Sequence, residues 1–550
     1  MISKEEHKKL LNQIAEAESN STNYFDVEKE FFLIDSENLA AVQTKLYGYS
    51  IQASGIYEDD NLTEDAAKNL DGRGCYVYVE VRGVQITISQ DLNGSWGVYL
   101  FRHGDYFALS NSFFRLLDYL KLRFPLTLNR DYCHYQITDG LCSHAYSETC
   151  VNEIELLDRG AIILIDTAEK ALTIEIIDYK EHSVPLNSAK GIAILDRWLD
   201  LWSGILRRVA QHTRFISADL TGGFDSRISL VPLLNSRINL NKILIYSHNN
   251  KYHTHPEDYA IASQIADYYG FKLNQPLPQS EFLNYTLADV FNFNQHCGQT
   301  FSNMTRFSVQ KRVDKLYSLS GFAGEMLRNY WYFSPARFME WRFSEMRRVY
   351  SNGVFSDLSH AIENIVKSGV RAVCDKYKIN DPNSPVVMQY FYQETRCRHH
   401  FGKGSTLLDY PLNVLHLSPA LDPEIRKLQL HTQECPDPNL FVALIFTRYA
   451  PDLLKFPFQG NRFIAPETLA YAKELSENFP RRLTADKIEW GGHSIFSRVT
   501  RIQNKFFIRG GTIKKYLMVC LKLVSKQSQT PQKLTACSML ISMKNFTILQ

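Results

Sequence analysis

The chain is 550 residues long, 45% apolar and 22% charged, with 61 Lys and Arg against 59 Asp and Glu. A chain of this length divides into two or three cores of about 100 to 200 residues each. The charge balance argues against a body built to hold a long nucleic acid, and no stretch approaches the roughly 18 apolar residues of a membrane span. The ten cysteines form no C-x-x-C pair and no cluster with histidine at zinc-ligand spacing, which points to free thiols in a reducing cytosol. His399 and His400, beside Cys397, point in different directions on either a helix or a strand and make no metal pair. Residues 1–8 carry mixed charge without the apolar core of a secretory signal, so a cytoplasmic protein is expected.

In chain order, a short polar helix is predicted over about 5–18, followed by a β-rich region to about residue 179. Residues 75–81 alternate, turn at Arg82-Gly83 and resume over 84–89, which is a hairpin signature. The pattern repeats over 96–101 and 106–110 around His103-Gly104-Asp105, and again over 161–165 and 171–177. From about Ala189, helices alternate with short apolar strands, as βαβ units and a parallel sheet require. Strands are predicted at 214–219, 242–247 and 271–274, with helices at 226–235 and 257–269, the latter stopped by Gly270. Pro232 should kink the earlier helix, because it cannot supply one of the backbone bonds. From Arg481 onward, thirteen Lys and Arg face only Asp486 and Glu489, a basic tail whose simplest reading is a solvated terminus.

The chemistry concentrates where a predicted strand ends at Asp219-Leu220 and continues as Thr221-Gly222-Gly223-Phe224-Asp225-Ser226 into a helix. Two glycines permit backbone angles closed to other residues, so that successive N–H groups can converge on an anion. The helix adds its unsatisfied N-terminal N–H groups and its dipole. Thr221 and Ser226 offer hydroxyl donors, and Asp225 is suited to hold a Mg²⁺ that neutralises phosphates.

This hexapeptide resembles the S-G-G-x-D-S loop of the ATP pyrophosphatase superfamily, with Thr221 in place of the first serine. Within that superfamily the chain is similar to asparagine synthetase over most of its length. Residues 91–99 resemble the R-D-x-x-G-x-x-x-L-Y stretch of that family's N-terminal domain, Ser110–Leu117 its A-S-E-x-K-A-L helix start, and Leu157-Asp158-Arg159-Gly160 its L-P-P-G turn. Residues 319–325 resemble the second pyrophosphate and metal loop, S-G-E-G-x-D-E, but are one residue shorter and keep one of three acids, Glu325. Residues 417–425 look like the R-x-P-F-L-D segment, and 444–458 like the late helix whose cation steadies departing pyrophosphate.

The resemblance implies an α/β fold: a doubly wound parallel-sheet ATP pyrophosphatase domain over 190–480. A degenerate, β-rich glutamine-amidotransferase-like sandwich of the Ntn type precedes it over 1–185, and the basic tail follows over 481–550. It implies ATP contacts at Leu220, Thr221, Gly222, Gly223, Asp225, Ser226, Tyr246, Ser247, Ser320 and Gly321, and Mg²⁺ held by Asp225 and Glu325. Lys455, Arg448 and Glu325 become the candidate catalytic residues. The implied reaction is ATP-dependent amide formation, in which a carboxylate is activated as its adenylate and taken by ammonia or a substrate amine. Aspartate is the default acid by resemblance. Family members that use glutamine carry cysteine after the initiator methionine, whereas position 2 here is Ile2 and Cys75 falls inside a predicted strand, so no glutaminase activity is expected. The partners implied are a small carboxylate and an amine; a homodimer is left open, and a tRNA partner is favoured by the basic tail alone. The alternative is a non-catalytic or regulatory ATP-binding protein, because the second loop is trimmed.

Overall fold

The computed structural model describes residues 30–481 except 140–144, 178–182, 213–214, 250–256, 276–280, 283–310, 313–314, 329, 348–351, 408, 411–412, 430–434, 436 and 438. The expected helix over 5–18 and the tail beyond 481 lie outside the described residues. The protein is mixed α/β, with antiparallel sheets first and a parallel sheet after them. Among the described residues, no helix is long and apolar enough to cross a membrane.

The first part holds β1 (Ile34–Asp35), β2 (Lys45–Gln52), β3 (Gly55–Tyr57), β4 (Gly74–Arg82), β5 (Gln85–Gln90), β6 (Tyr99–His103), β7 (Tyr106–Ser110), β8 (Ile154–Leu156), β9 (Ala161–Asp166) and β10 (Ala171–Ile176). They form a four-stranded antiparallel sheet, β1-β7-β6-β8, and a six-stranded one, β10-β9-β5-β4-β2-β3. Alternation drives the packing: Ile86 and Ile88 of β5 and Ile163 and Ile165 of β9 point inward, and with Leu100 and Leu109 of the other sheet they form one core. The three expected hairpins are present, two of them turning through Gly83 (φ +59°) and Gly104 (φ +57°). The expected strand at 96–101 begins only at Tyr99. Just before it Gly97 has φ +80°, outside the extended range, and the buried Asp91 carboxylate holds the preceding turn by accepting the N–H groups of Asn93 and Ser95, and that of Tyr76, at 3.0–3.2 Å. Burial nevertheless pushes that carboxyl up to about 6, against the pull of these bonds.

The second part opens on α2 (Ala189–His212), which follows α1 (Phe113–Leu120) in the chain. Its Ile192, Leu195, Leu199, Trp202, Leu206 and Val209, spaced three and four apart, face the core. Next come β11 (Ile216–Asp219), α3 (Phe224–Asn235), β12 (Leu244–Tyr246), α4 (Glu257–Tyr269), β13 (Leu316–Leu319), α5 (Asn352–Tyr377) and β14 (Val414–Leu417). The sheet is parallel throughout, in the order β12-β11-β13-β14. The third expected strand, 271–274, contributes only a bridge from Leu273 to Ile245. Asn274 turns the chain away there, with φ +53° and its amide bonded to both Ser247 backbone groups at 2.9 Å. Pro232 does not divide α3; the last turn is retied by the Ser236 N–H, which reaches the Pro232 and Leu233 carbonyls.

The two parts share one apolar core, which contains Val77 and Ile163 together with Ile216 and Leu444. Polar clasps accompany it. Asp422, 1% exposed, accepts from Arg73 Nε at 2.7 Å, Trp202 Nε1 at 2.8 Å and the Glu424 N–H at 2.7 Å, which makes it both an ion-pair partner and a helix N-cap. Tyr49 Oη accepts the His416 N–H at 2.9 Å and donates to the His416 carbonyl at 3.1 Å. Residues Tyr392–Leu407 form a π-helical stretch lying against the first part, an uncommon backbone. From it the buried Glu394 accepts from buried Arg159 Nε and, from α5, from the half-buried Lys376 Nζ, both at 2.9 Å.

Candidate functional site

Chain order across the parallel sheet reverses beside β11: β12 and the Leu273 bridge lie to one side, β13 and β14 to the other. Loops leaving the C-terminal ends of β11 and β13 flank this reversal, the position at which open α/β sheets bind ligands. Residues 220–226 leave β11 and residues 320–325 leave β13. Their glycines are demanded by close approach. A Cβ on Gly321 would meet Ser226 N at 2.8 Å, one on Gly324 would meet Asp225 Cβ at 2.6 Å, and one on Gly222 would meet Ile261 Cδ1 at 2.7 Å.

The expected convergence of loop N–H groups on an anion is corrected in part. The Thr221 N–H donates to Ser226 Oγ at 2.9 Å, the Gly223 N–H to Thr221 Oγ1 at 3.1 Å, and the Gly222 N–H to buried Asp258 Oδ1 of α4 at 2.7 Å. These side chains shape the loop by taking its first donors. The anion-attracting element left is the start of α3, where Gly223 is the N-cap and no side chain caps the first turn. Arg227, fully buried, ties this start to residues 453–457 through the Leu453 and Phe456 carbonyls at 3.2 Å and through the Pro457 carbonyl, with its guanidinium over the Phe458 ring. Burial pulls its pKa down to about 10.

Asp225 points at the second loop and meets a cation there. Its two oxygens accept from Arg328 Nε at 2.9 Å and Arg328 Nη2 at 2.8 Å, a bidentate pair. Arg328 also lies 5.1 Å from the Tyr330 ring centroid and 6.0 Å from that of Phe224. Glu325 is pushed up to about 7, by burial first and then by the Asp225 charge. The donor set as folded does not fit a divalent ion: Arg328 occupies both Asp225 oxygens, and among the described residues no three His, Cys, Asp or Glu gather to hold a metal. Asp225, expected with Glu325 to hold Mg²⁺, is paired with Arg328 in this arrangement.

The other expected residues divide. Leu220, Tyr246, Ser247, Ser320 and Gly321 share the C-terminal edge of the sheet: the Leu220 N–H donates to the Tyr246 carbonyl at 2.8 Å, Ser247 Oγ is buried without a partner, and the Ser320 carbonyl accepts from Ser229 Oγ at 2.7 Å. Lys455 is exposed, paired with Asp452 at 2.6 Å and bonded to Tyr268 Oη at 2.9 Å. Arg448 directs its donors to Asp196 at 2.8 and 2.9 Å and to the Phe479 carbonyl at 2.7 Å, so it fastens the end of the helix Pro466–Asn478 to α2. Arg328, Arg227 and Asp258 were not singled out from sequence. The one local signal was Arg328 three residues after Glu325, the spacing of neighbours on a helical turn.

The structure defines a mixed α/β protein in which two polar loops meet at the C-terminal edge of a parallel sheet. No protein-family model matches the chain, and no curated protein matches it.

Proposed function

We propose that this pair of loops binds ATP by its phosphates, and that the chain is an amide-forming ligase which activates a carboxylate as its adenylate. The observation that carries this reading is the uncapped N-terminus of α3, set behind a Gly-Gly loop at the reversal that the β11 and β13 loops flank. The finer fold belongs to the same proposal: the parallel sheet as an ATP pyrophosphatase domain of the asparagine-synthetase type, and the two antiparallel sheets as an amidotransferase-like sandwich. A carboxylate oxygen attacks the α-phosphorus while the bond to the β-phosphate oxygen breaks. Pyrophosphate leaves with its charge toward the α3 terminus, and an amine then takes the acyl group and releases AMP. Fixed donors stabilise such developing charge without rearranging. Exchange of labelled pyrophosphate into ATP across a panel of carboxylates tests the reading and identifies the acid; no exchange with any acid, together with no ATP binding, would refute it.

The second reading, a non-catalytic ATP-binding protein, is favoured by one observation: the Thr221, Gly222 and Gly223 donors are already taken. ATP binding without exchange on that panel selects it.

A further inference from the structure

Arginine has two forked hydrogen-bonding edges, and Asp225 takes the one made by Nε and Nη2. The remaining edge, Nη1 with the second Nη2 hydrogen, has the fork spacing that matches two phosphate oxygens. Asp225 is the second residue of α3, and the guanidinium lies 6.0 Å from the ring centroid of Phe224, the first, so the guanidinium is held at the start of the helix. The approach of Gly321 and Gly324 to Ser226 and Asp225 sets how close the two loops come. The Arg328 side chain is 11% exposed and that of Asp225 24%, which limits the solvent competing for the pair. A divalent ion on Asp225 would first have to displace a two-point, charge-assisted bond.

We propose that Arg328 is a phosphate-binding residue of this loop pair, with Asp225 as its positioning partner, so that a polyphosphate is held by guanidinium and helix terminus with no divalent ion at Asp225. The inference rests on the phosphate-loop reading above and assigns to this chain's own side chain the charge that Mg²⁺ was expected to bring. A purely structural ion pair makes a different prediction, since its loss would lower stability and leave anion binding untouched.

Calorimetric titration of the full chain with inorganic pyrophosphate, in EDTA and in excess Mg²⁺, separates these outcomes. Wild-type protein is expected to bind pyrophosphate in EDTA. Arg328→Gln should weaken that binding by about 10- to 100-fold, the range for losing charge-assisted bonds. Arg328→Lys keeps a cation without the planar second edge and should fall between them; it also carries the test if the glutamine variant does not fold. Equal binding by wild type and either folded variant overturns the inference. So does wild-type binding that needs Mg²⁺, which would leave the phosphate-loop reading standing. No pyrophosphate binding in either condition removes the loop reading and the inference with it.

Discussion

Replacing Asp422 with Ala should show how strongly the two parts depend on each other. The carboxylate is 1% exposed and holds Arg73, Trp202 and the first turn of a short helix at once. Breaking a buried ion pair by removing one partner costs about 3–5 kcal/mol, an N-cap about 1 and an orphaned N–H about 1–3. These terms overlap, and Arg73 keeps a second partner in Asp71, so the sum is an upper bound and about 3–4 kcal/mol is expected. That is a large share of the 5–15 kcal/mol that holds a typical domain together, and a fall of roughly 10 °C in melting temperature should follow. Asp422→Asn keeps an acceptor for Trp202 and for the cap while losing the charge, and should cost about half as much. Urea unfolding followed by tryptophan fluorescence measures both. A loss under about 1 kcal/mol for the alanine variant would refute the claim that this carboxylate joins the two parts.

Other expectations concern the two loops and the Glu394 cluster. Gly321→Ala puts a Cβ against Ser226 N, so the loops must separate and ATP affinity should drop by on the order of tenfold while the sheet survives; an unchanged titration would mean the loops move independently of the ligand. Asp258→Ala leaves the Gly222 N–H without its acceptor and should destabilise the fold by about 1–3 kcal/mol, read by urea unfolding, with a neutral effect counting against its loop-shaping role. Glu394 is buried, which alone would raise its pKa, but Arg159 and Lys376 hold it well below its ordinary 4.5. Because the folded-state pKa is depressed, the stability it contributes is fully present above about pH 4.5 and is lost as pH falls toward the folded value. Glu394→Gln should therefore flatten the acid limb of the stability curve below pH 4.5, and an unaltered limb would place the acid sensitivity elsewhere.

What could be read from sequence was what short-range pattern encodes. Glu257–Tyr269 matches its predicted bounds because Ile261 and Ile265 repeat at helical spacing and Gly270 (φ +73°) ends the run. The hairpins were legible from alternation around Gly83 and Gly104. The Gly-Gly loop was legible as a strand-to-helix turn, but the fate of its donors depended on Asp258, 36 residues further on. Arg328 meets Asp225 across 103 residues, and Arg448 meets Asp196 across 252, so no local spacing could distinguish the phosphate candidate from the structural clamp. The strand starts late, at Tyr99, because Gly97 before it takes φ +80°. Asp91 satisfies backbone groups by its side chain, which a periodicity of two cannot register.

The Tyr49 hydroxyl bonded to both backbone groups of His416 has a consequence for the edge of the parallel sheet. β14 ends the parallel sheet, and an open edge offers unpaired donors and acceptors on which another chain can add a strand. Tyr49, reaching in from β2, takes the place of that missing neighbour at one residue with a single oxygen that both accepts and donates. The antiparallel part thereby satisfies the backbone of the β14 edge at His416, a position an added strand would need.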